Sequence, residues 1–243
     1  MIDVHFIQTS NGMKVTIALE EMALPYRVIQ YDMFEGEHLT PEFRRINPNN
    51  KLPAIVDHDP IGGGAPFNVF ESGAILLYLA DKTGKLLPSA PRARSICLQW
   101  LIWQAANMGP MLGQAHHFIR YAPQGRDYGQ KRYRDQAIRV YDVLEFRLRE
   151  APFLAGDDYS IADIMCWVWA APLALDLIGL NTDERPATQK WFEAILARPA
   201  VQYATSREET ATPARYLQRK AVLTPAQWSN MFGDRLLDAA RVD

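Results

Sequence analysis

Short apolar runs alternate with helix-period stretches over the first third of the chain, and only helical periods follow. Ile2 to Gln8 reads as a strand, broken by Thr9-Ser10-Asn11-Gly12. From Met13, the positions Val15, Ile17, Ala18, Leu19 and Met22 predict a buried helix ending near Leu24-Pro25, with Ser10 or Asn11 as its N-cap. Tyr26 to Tyr31 is a second strand, and Asp32 to Thr40 a polar loop holding Gly36. Thr40 as cap and Pro41 at the first helical position predict a short helix through Ile46. Pro53 to Val56 and Phe67 to Phe70 form the arms of a hairpin with Gly62-Gly63-Gly64 at its tip. Glu71-Ser72-Gly73 then opens a helix from Ala74 to Lys82. The predicted order is β-α-β-α-β-β-α, whose first half fits a right-handed βαβ unit.

Beyond Lys82 the pattern changes. Gly84 to Arg92, with Pro88 and Pro91, reads as a linker. Helices are predicted from Ala93 to Phe118 with a kink or break at Gly109-Pro110, and from Tyr128 to Glu150. Two more run from Ile161 to Leu177, interrupted by Pro172, and from Ala187 to Leu196. Ser160 and Asp163 have the spacing of a capping box before the apolar run. The expected layout is an α/β domain over 1–83, a linker over 84–92, an all-helical domain over 93–204 and an extension over 205–243. The extension opens with charged residues, including Arg207-Glu208-Glu209. Trp228, Met231 and Phe232, behind the helix start Thr224-Pro225, predict that it packs back on the body.

Composition narrows the function classes. The 243 residues are 48% hydrophobic and 22% charged with a net charge of −2, which fits a globular protein and disfavours nucleic acid or an anionic membrane as partner. No apolar run approaches the ~20 residues that span a bilayer. The N-terminus lacks the pattern of a secretion signal, so the expected location is cytoplasmic. Cys97 and Cys166 lie far apart in apolar helical segments and read as buried thiols, without zinc or CxxC spacing. The first 96 residues hold no cysteine.

The stretch Asn47-Pro48-Asn49-Asn50-Lys51-Leu52-Pro53-Ala54-Ile55-Val56 carries the main chemical signal. Pro53 lacks an N–H and marks a strand start. Leu52–Pro53 is the best candidate for a cis bond, against a general frequency of ~5% for X-Pro. A cis bond would turn the N–H and C=O of Leu52 outward, where they could pair with a peptide-like ligand as a strand does.

This stretch, with Phe70-Glu71-Ser72-Gly73-Ala74-Ile75-Leu76-Leu77-Tyr78-Leu79-Ala80 and the Ser160–Asp163 box, resembles the glutathione transferases over most of the chain, from Ile2 to about Ala204. Within that family, Thr9-Ser10-Asn11-Gly12-x-Lys14-Val15 and Gly109-Pro110-Met111-Leu112-Gly113-Gln114-Ala115-His116-His117-Phe118 resemble the bacterial Nu class of glutathione-dependent disulfide reductases. The resemblance implies a thioredoxin-like N-terminal domain, a cis Leu52–Pro53 bond, an all-helical C-terminal domain and a homodimer. It also implies bound glutathione as co-substrate and no metal.

For site residues, Leu52 would pair with the cysteinyl backbone of glutathione, with Pro53 beside it among the glutathione-binding residues. Ser72 and the helix N-terminus would take the γ-glutamyl carboxylate, Glu71 its ammonium, and Lys51 the glycyl carboxylate. His38 stands where close relatives often carry Gln, and an imidazole still donates one hydrogen bond. Arg132 would reach a glutathione carboxylate across the dimer interface. Thr9 and Asn11, at the start of the first helix, are the candidates to hold the thiolate; no tyrosine stands at that junction. The expected reaction is reduction of a small disulfide by glutathione thiolate. Conjugation of small electrophiles and a non-catalytic glutathione-binding regulator are the alternatives. His116-His117 is a poor metal pair, because adjacent helical residues do not face each other. The pair reads instead as lining the mouth of an electrophile pocket. Met108 and Met111 are candidates for the same pocket, with core packing the commoner fate.

Overall fold

The computed structural model describes residues 1–181, 183–207 and 221–241. Two compact units emerge, one built on Met1–Thr83 and the other on Gly84–Tyr203. The first unit also takes in the later part of the chain from Val222.

The first unit holds a four-stranded sheet in the order β2-β1-β3-β4. Its strands are β1 (Ile2–Phe6), β2 (Tyr26–Gln30), β3 (Ala54–Asp57) and β4 (Phe67–Phe70). β1 and β2 are parallel and joined by helix α1 (Ser10–Met22); β3 pairs antiparallel with β1 and β4. β1 alternates by face, as a pleated strand must. Ile2, Val4 and Phe6 are buried apolar positions, while the buried Asp3 and His5 point to the other face. There the rings of His5, Tyr31 and Phe43 cluster, Phe43 coming from the short helix α2 (Pro41–Arg44). Helix α3 (Ser72–Thr83) packs against α1. Asp57, fully buried, ties β3 to α3 by accepting from Tyr78 Oη at 2.9 Å and pairing with Lys82 Nζ at 2.9 Å.

Boundaries shifted where backbone chemistry decides them. The N-cap of α1 is Thr9, whose Oγ1 accepts from Gly12 N at 3.3 Å, rather than Ser10 or Asn11. The helix stops at Ala23, which adopts φ 57° and closes the last turn before Pro25 is reached. The β3 ladder begins at Ala54, since Pro53 has no N–H to contribute.

The second unit is helical: α4 (Pro91–Trp103), α5 (Gly109–His116), α6 (Asp127–Glu150), α7 (Ile161–Trp167), α8 (Pro172–Asp176) and α9 (Pro186–Leu196), with α10 (Pro199–Ser206) following. α4 starts at Pro91, because proline fits the first helical turn. Of the kink or break expected at Gly109-Pro110, no break is present: the helix runs on through a widened turn just before it. Gln104–Met108 is π-helical, Pro110 sits in the first turn of α5, and a second π segment covers His117–Tyr121. Pro172 likewise starts a new helix after a break at 168–171. Asp163 centres the buried polar network of this unit. One carboxylate oxygen accepts from Ser160 N and Oγ, and the other from Leu154 N and Trp191 Nε1, all at 2.9 Å. The capping role expected of Ser160 and Asp163 is present. No helix among the described residues is long and apolar enough to cross a membrane.

The extension forms α11 (Pro225–Phe232) and α12 (Asp234–Ala239), which dock on the first unit. Buried Asn230 donates to Phe34 O at 2.7 Å, and Arg44 donates to the carbonyls of Arg241 and Ala240. The Glu208-Glu209 pair lies outside the described residues.

Candidate active site

The register of the sheet brings the candidate residues to one edge. His5 pairs with Ala54, and Ala54 with Phe70. The chain therefore leaves β1 toward Thr9, enters β3 from Leu52-Pro53 and leaves β4 toward Glu71-Ser72 at the same end of the sheet. β2, parallel to β1, delivers the 32–40 loop with His38 to that end as well; Tyr31 N bonds Phe6 O at 3.0 Å. Arg132 is exposed on α6 of the helical unit.

Leu52–Pro53 is cis. Neither the N–H nor the C=O of Leu52 has a hydrogen-bond partner among the described residues. Two asparagines hold this loop. Asn47 Nδ2 donates to Lys51 O at 2.6 Å; Asn50 Nδ2 donates to His38 O at 2.8 Å and Thr40 O at 3.4 Å. Asn50 adopts φ 50°, a region asparagine tolerates better than most residues. The Asn47 bond spans four residues within the loop, whereas Asn50 reaches back twelve and ten residues to the loop after β2, a link with no local sequence signal. Lys51 is exposed and Pro53 buried.

His38 is buried, and its Nδ1 has no hydrogen-bond partner among the described residues. Burial is the main force pushing its pKa down to about 4, with Arg235 and Lys51 adding to it against the opposing Glu37. At neutral pH it is an uncharged hydrogen-bonding group, so a carboxylate at this edge finds its positive charge elsewhere.

At the start of α1, Gly12 is required by packing: a Cβ there would collide with the Ile7 carbonyl and the Phe6 ring. This close approach brings the helix N-terminus down on the end of β1. Thr9 and Asn11 are half-buried. Thr9 Oγ1 accepts from Gly12 N, which leaves its hydroxyl proton without an acceptor among the described residues. Glu71 is exposed in the left-handed region at φ 68°, and its carbonyl accepts from Ile75 N at 2.9 Å, so it sits at the cap of α3. A non-glycine residue held there costs of order 1–3 kcal/mol and is commonly found where function sets the geometry. Lys14, absent from the predicted set except as part of a motif, joins the two helix starts. Its Nζ reaches Asn11 Oδ1 at 2.9 Å and Ser72 Oγ at 3.4 Å.

In the helical unit, His116 packs edge-on against Trp169 at 5.9 Å and burial drives its pKa to about 4. Met108 is fully buried core, whereas Met111 is partly exposed. Cys97 and Cys166 are free and fully buried, and burial pushes the Cys97 thiol up.

The family model for the glutathione S-transferase N-terminal domain matches residues 2–81, and that for the C-terminal domain residues 110–199. The disulfide-bond oxidoreductase YfcG of Escherichia coli is 52% identical over 200 residues, 82% of this chain and 92% of YfcG. Among solved structures, a glutathione transferase from Burkholderia graminis with two glutathione molecules bound per subunit is 40% identical. It superposes with a TM-score of 0.78 and covers 84% of this chain and 86% of the other. One from Pseudomonas putida, with one glutathione disulfide bound per subunit, is 38% identical with a TM-score of 0.78, covering 84% and 90%. The two domain matches, the relative that aligns over nearly its whole length and the shared fold lead to one conclusion: this chain belongs to the glutathione S-transferase family.

Proposed function

We propose that this protein is a glutathione-dependent disulfide-bond reductase of the Nu-class type, using the thiolate of bound glutathione in place of a protein cysteine. The observation that carries the reading is the make-up of the candidate edge. It offers an unpaired strand-like backbone at Leu52, two helix starts and hydroxyl and amide donors, while both cysteines are buried in the other unit. The relative named as a disulfide-bond oxidoreductase, and the neighbours holding two glutathiones or a glutathione disulfide, support it.

Leu52 pairs with the cysteinyl unit of glutathione, Ser72 and Glu71 hold the γ-glutamyl end, and His38 and Lys51 lie toward the glycyl end. Arg132 reaches the site from the second subunit of a cytoplasmic homodimer. Thr9 and Asn11 donate to the sulfur. A free thiol has a pKa of ~8.5, so stabilising its anion by ~2.7 kcal/mol brings it to ~6.5. A helix N-terminus contributes ~0.3–1 kcal/mol and a hydrogen bond to a charged group ~1.5–3 kcal/mol. The thiolate attacks one sulfur of a disulfide, expelling the other as thiolate and leaving a mixed disulfide with glutathione. A second glutathione thiolate attacks the glutathione sulfur of that mixed disulfide and releases the second substrate thiolate. Two glutathiones become one glutathione disulfide, and the substrate disulfide becomes two thiols.

Purified protein with glutathione is assayed against a small model disulfide and a chlorinated aromatic side by side. Turnover of the disulfide, retained in a folded Cys97→Ser/Cys166→Ser double variant, is the expected result. Activity on the chlorinated aromatic alone, or loss of disulfide turnover in the folded double variant, overturns it.

A further inference from the structure

Lys14 lies on a helix interior face and is only 1% exposed, among the largest fully buried side chains of the protein. Burying an amine carries a desolvation penalty that an apolar residue of the same length avoids. Its position therefore calls for a reason beyond packing. Its Nζ lies 2.9 Å from Asn11 Oδ1 and 3.4 Å from Ser72 Oγ, so one side chain touches both the start of α1 and the start of α3.

The chemistry of lysine fixes what these contacts mean. A protonated lysine amine donates and has no acceptor. The Asn11 atom facing it must be the carboxamide oxygen, so the NH2 group faces away from Lys14. That NH2 has no hydrogen-bond partner among the described residues. Reversed, the amide would set donor against donor, and Asn11 would offer a ligand its oxygen, which repels a sulfur anion. The same amine donates to Ser72 Oγ, which directs the serine hydroxyl proton away from Lys14.

We propose that Lys14 is the positioning residue of the glutathione site, orienting the Asn11 amide to donate to the sulfur and the Ser72 hydroxyl to donate to the γ-glutamyl carboxylate. This assignment rests on the glutathione reading given above. Lys14 touches no substrate atom. It acts through Asn11 and Ser72, and it couples sulfur activation to capture of the γ-glutamyl end.

The test uses Lys14→Met, which keeps length and apolar volume, and Lys14→Gln, which keeps a donor without the charge. Folding is checked by circular dichroism and thermal melting. Glutathione binding is followed by calorimetry, and ionisation of the bound thiol by its ultraviolet thiolate absorbance across pH. In Lys14→Met the ionisation midpoint of bound glutathione is expected to move up by about one pH unit. kcat/KM at neutral pH should fall about tenfold and recover in part at alkaline pH, and glutathione binding should weaken severalfold. In an Asn11→Ala background the same change should cost less than about threefold in kcat, because the two residues act as one unit. Lys14→Gln should fall between wild type and Lys14→Met. An unchanged ionisation midpoint in a folded Lys14→Met protein overturns the assignment while leaving the glutathione reading intact. Absence of glutathione binding by the wild type overturns both. Should neither variant fold, Asn11→Asp tests the contact from the other side: pairing with Lys14 predicts a folded protein of equal or higher melting temperature with turnover lost. A lowered melting temperature, or retained turnover, overturns the assignment.

Discussion

Asn50 donates its side-chain amide to the carbonyl of His38 at 2.8 Å, tying the loop that enters β3 to the loop that leaves β2. Both residues are buried. Asn50→Ala removes the donor and leaves a buried carbonyl behind, at a cost of about 1–3 kcal/mol. Chemical denaturation is expected to show that loss. Because the 47–52 loop presents Leu52, KM for glutathione should rise more than kcat falls; steady-state kinetics separates the two.

Asn11→Ala removes the donor expected to stabilise the sulfur anion but leaves Leu52, Glu71 and Ser72 in place. Losing one hydrogen bond to a charged group, ~1.5–3 kcal/mol, corresponds to a fall in kcat of roughly ten- to a hundredfold. Calorimetry should show glutathione still bound.

Asp57→Ala removes the buried carboxylate that Lys82 and Tyr78 share, leaving them, among the described residues, only their hydrogen bonds to the Asp59 carbonyl and the Ile61 N–H. Lys82 is partly exposed, so the expected loss is about 2–4 kcal/mol rather than the full cost of breaking a wholly buried pair. Urea unfolding measures it. The start of α3 lies a helix length away, and glutathione affinity of the folded fraction should change little.

His38 gives a pH signature. Its folded pKa of about 4 lies below the ordinary value of 6.5. Between those values the unfolded chain holds more protons, so stability is greatest above about 6.5 and falls as pH drops toward 4. The contribution approaches ~1.4 kcal/mol per pH unit for one such group. His116, pushed to about 4 by burial, adds in the same direction. His38→Gln, which keeps a donor, should flatten the dependence measured by urea unfolding at pH 5 and pH 7.

Asn230→Ala cuts the bond from α11 to Phe34 O. Amide exchange across Pro225–Ala239 should then speed up about tenfold or more, as expected for a loss of ~1.4 kcal/mol, while exchange in β1 stays as in the wild type.

Much of the fold was readable because local rules and tertiary structure agree. The period-2 and period-3.6 runs mark the four strands and the long helices. Thr40-Pro41 and Thr224-Pro225 start the helices they predict. What escaped was decided at long range. Thr9 rather than Asn11 caps α1, because Asn11 is turned toward Lys14. Nothing near Lys14 in sequence reveals that its partner in α3 is Ser72, fifty-eight positions away. The Gln104–Met108 and His117–Tyr121 segments read as ordinary helix, because apolar spacing does not separate a widened turn from a regular one.

Those two widened turns carry a consequence for how this chain tolerates changes in length. A π turn carries more residues than an α turn, so deleting one residue can restore regular α geometry without ending the helix. Each residue turns a helix by about 100°, so the same deletion made inside α5 would swing every later side chain off its face. Gln104–Met108 and His117–Tyr121 are therefore places inside the helical unit where loss of one codon leaves the helix continuous. In the first unit, the Gly62-Gly63-Gly64 tip of the β3–β4 hairpin is open by a different route, since an added Cβ there meets nothing within 4 Å.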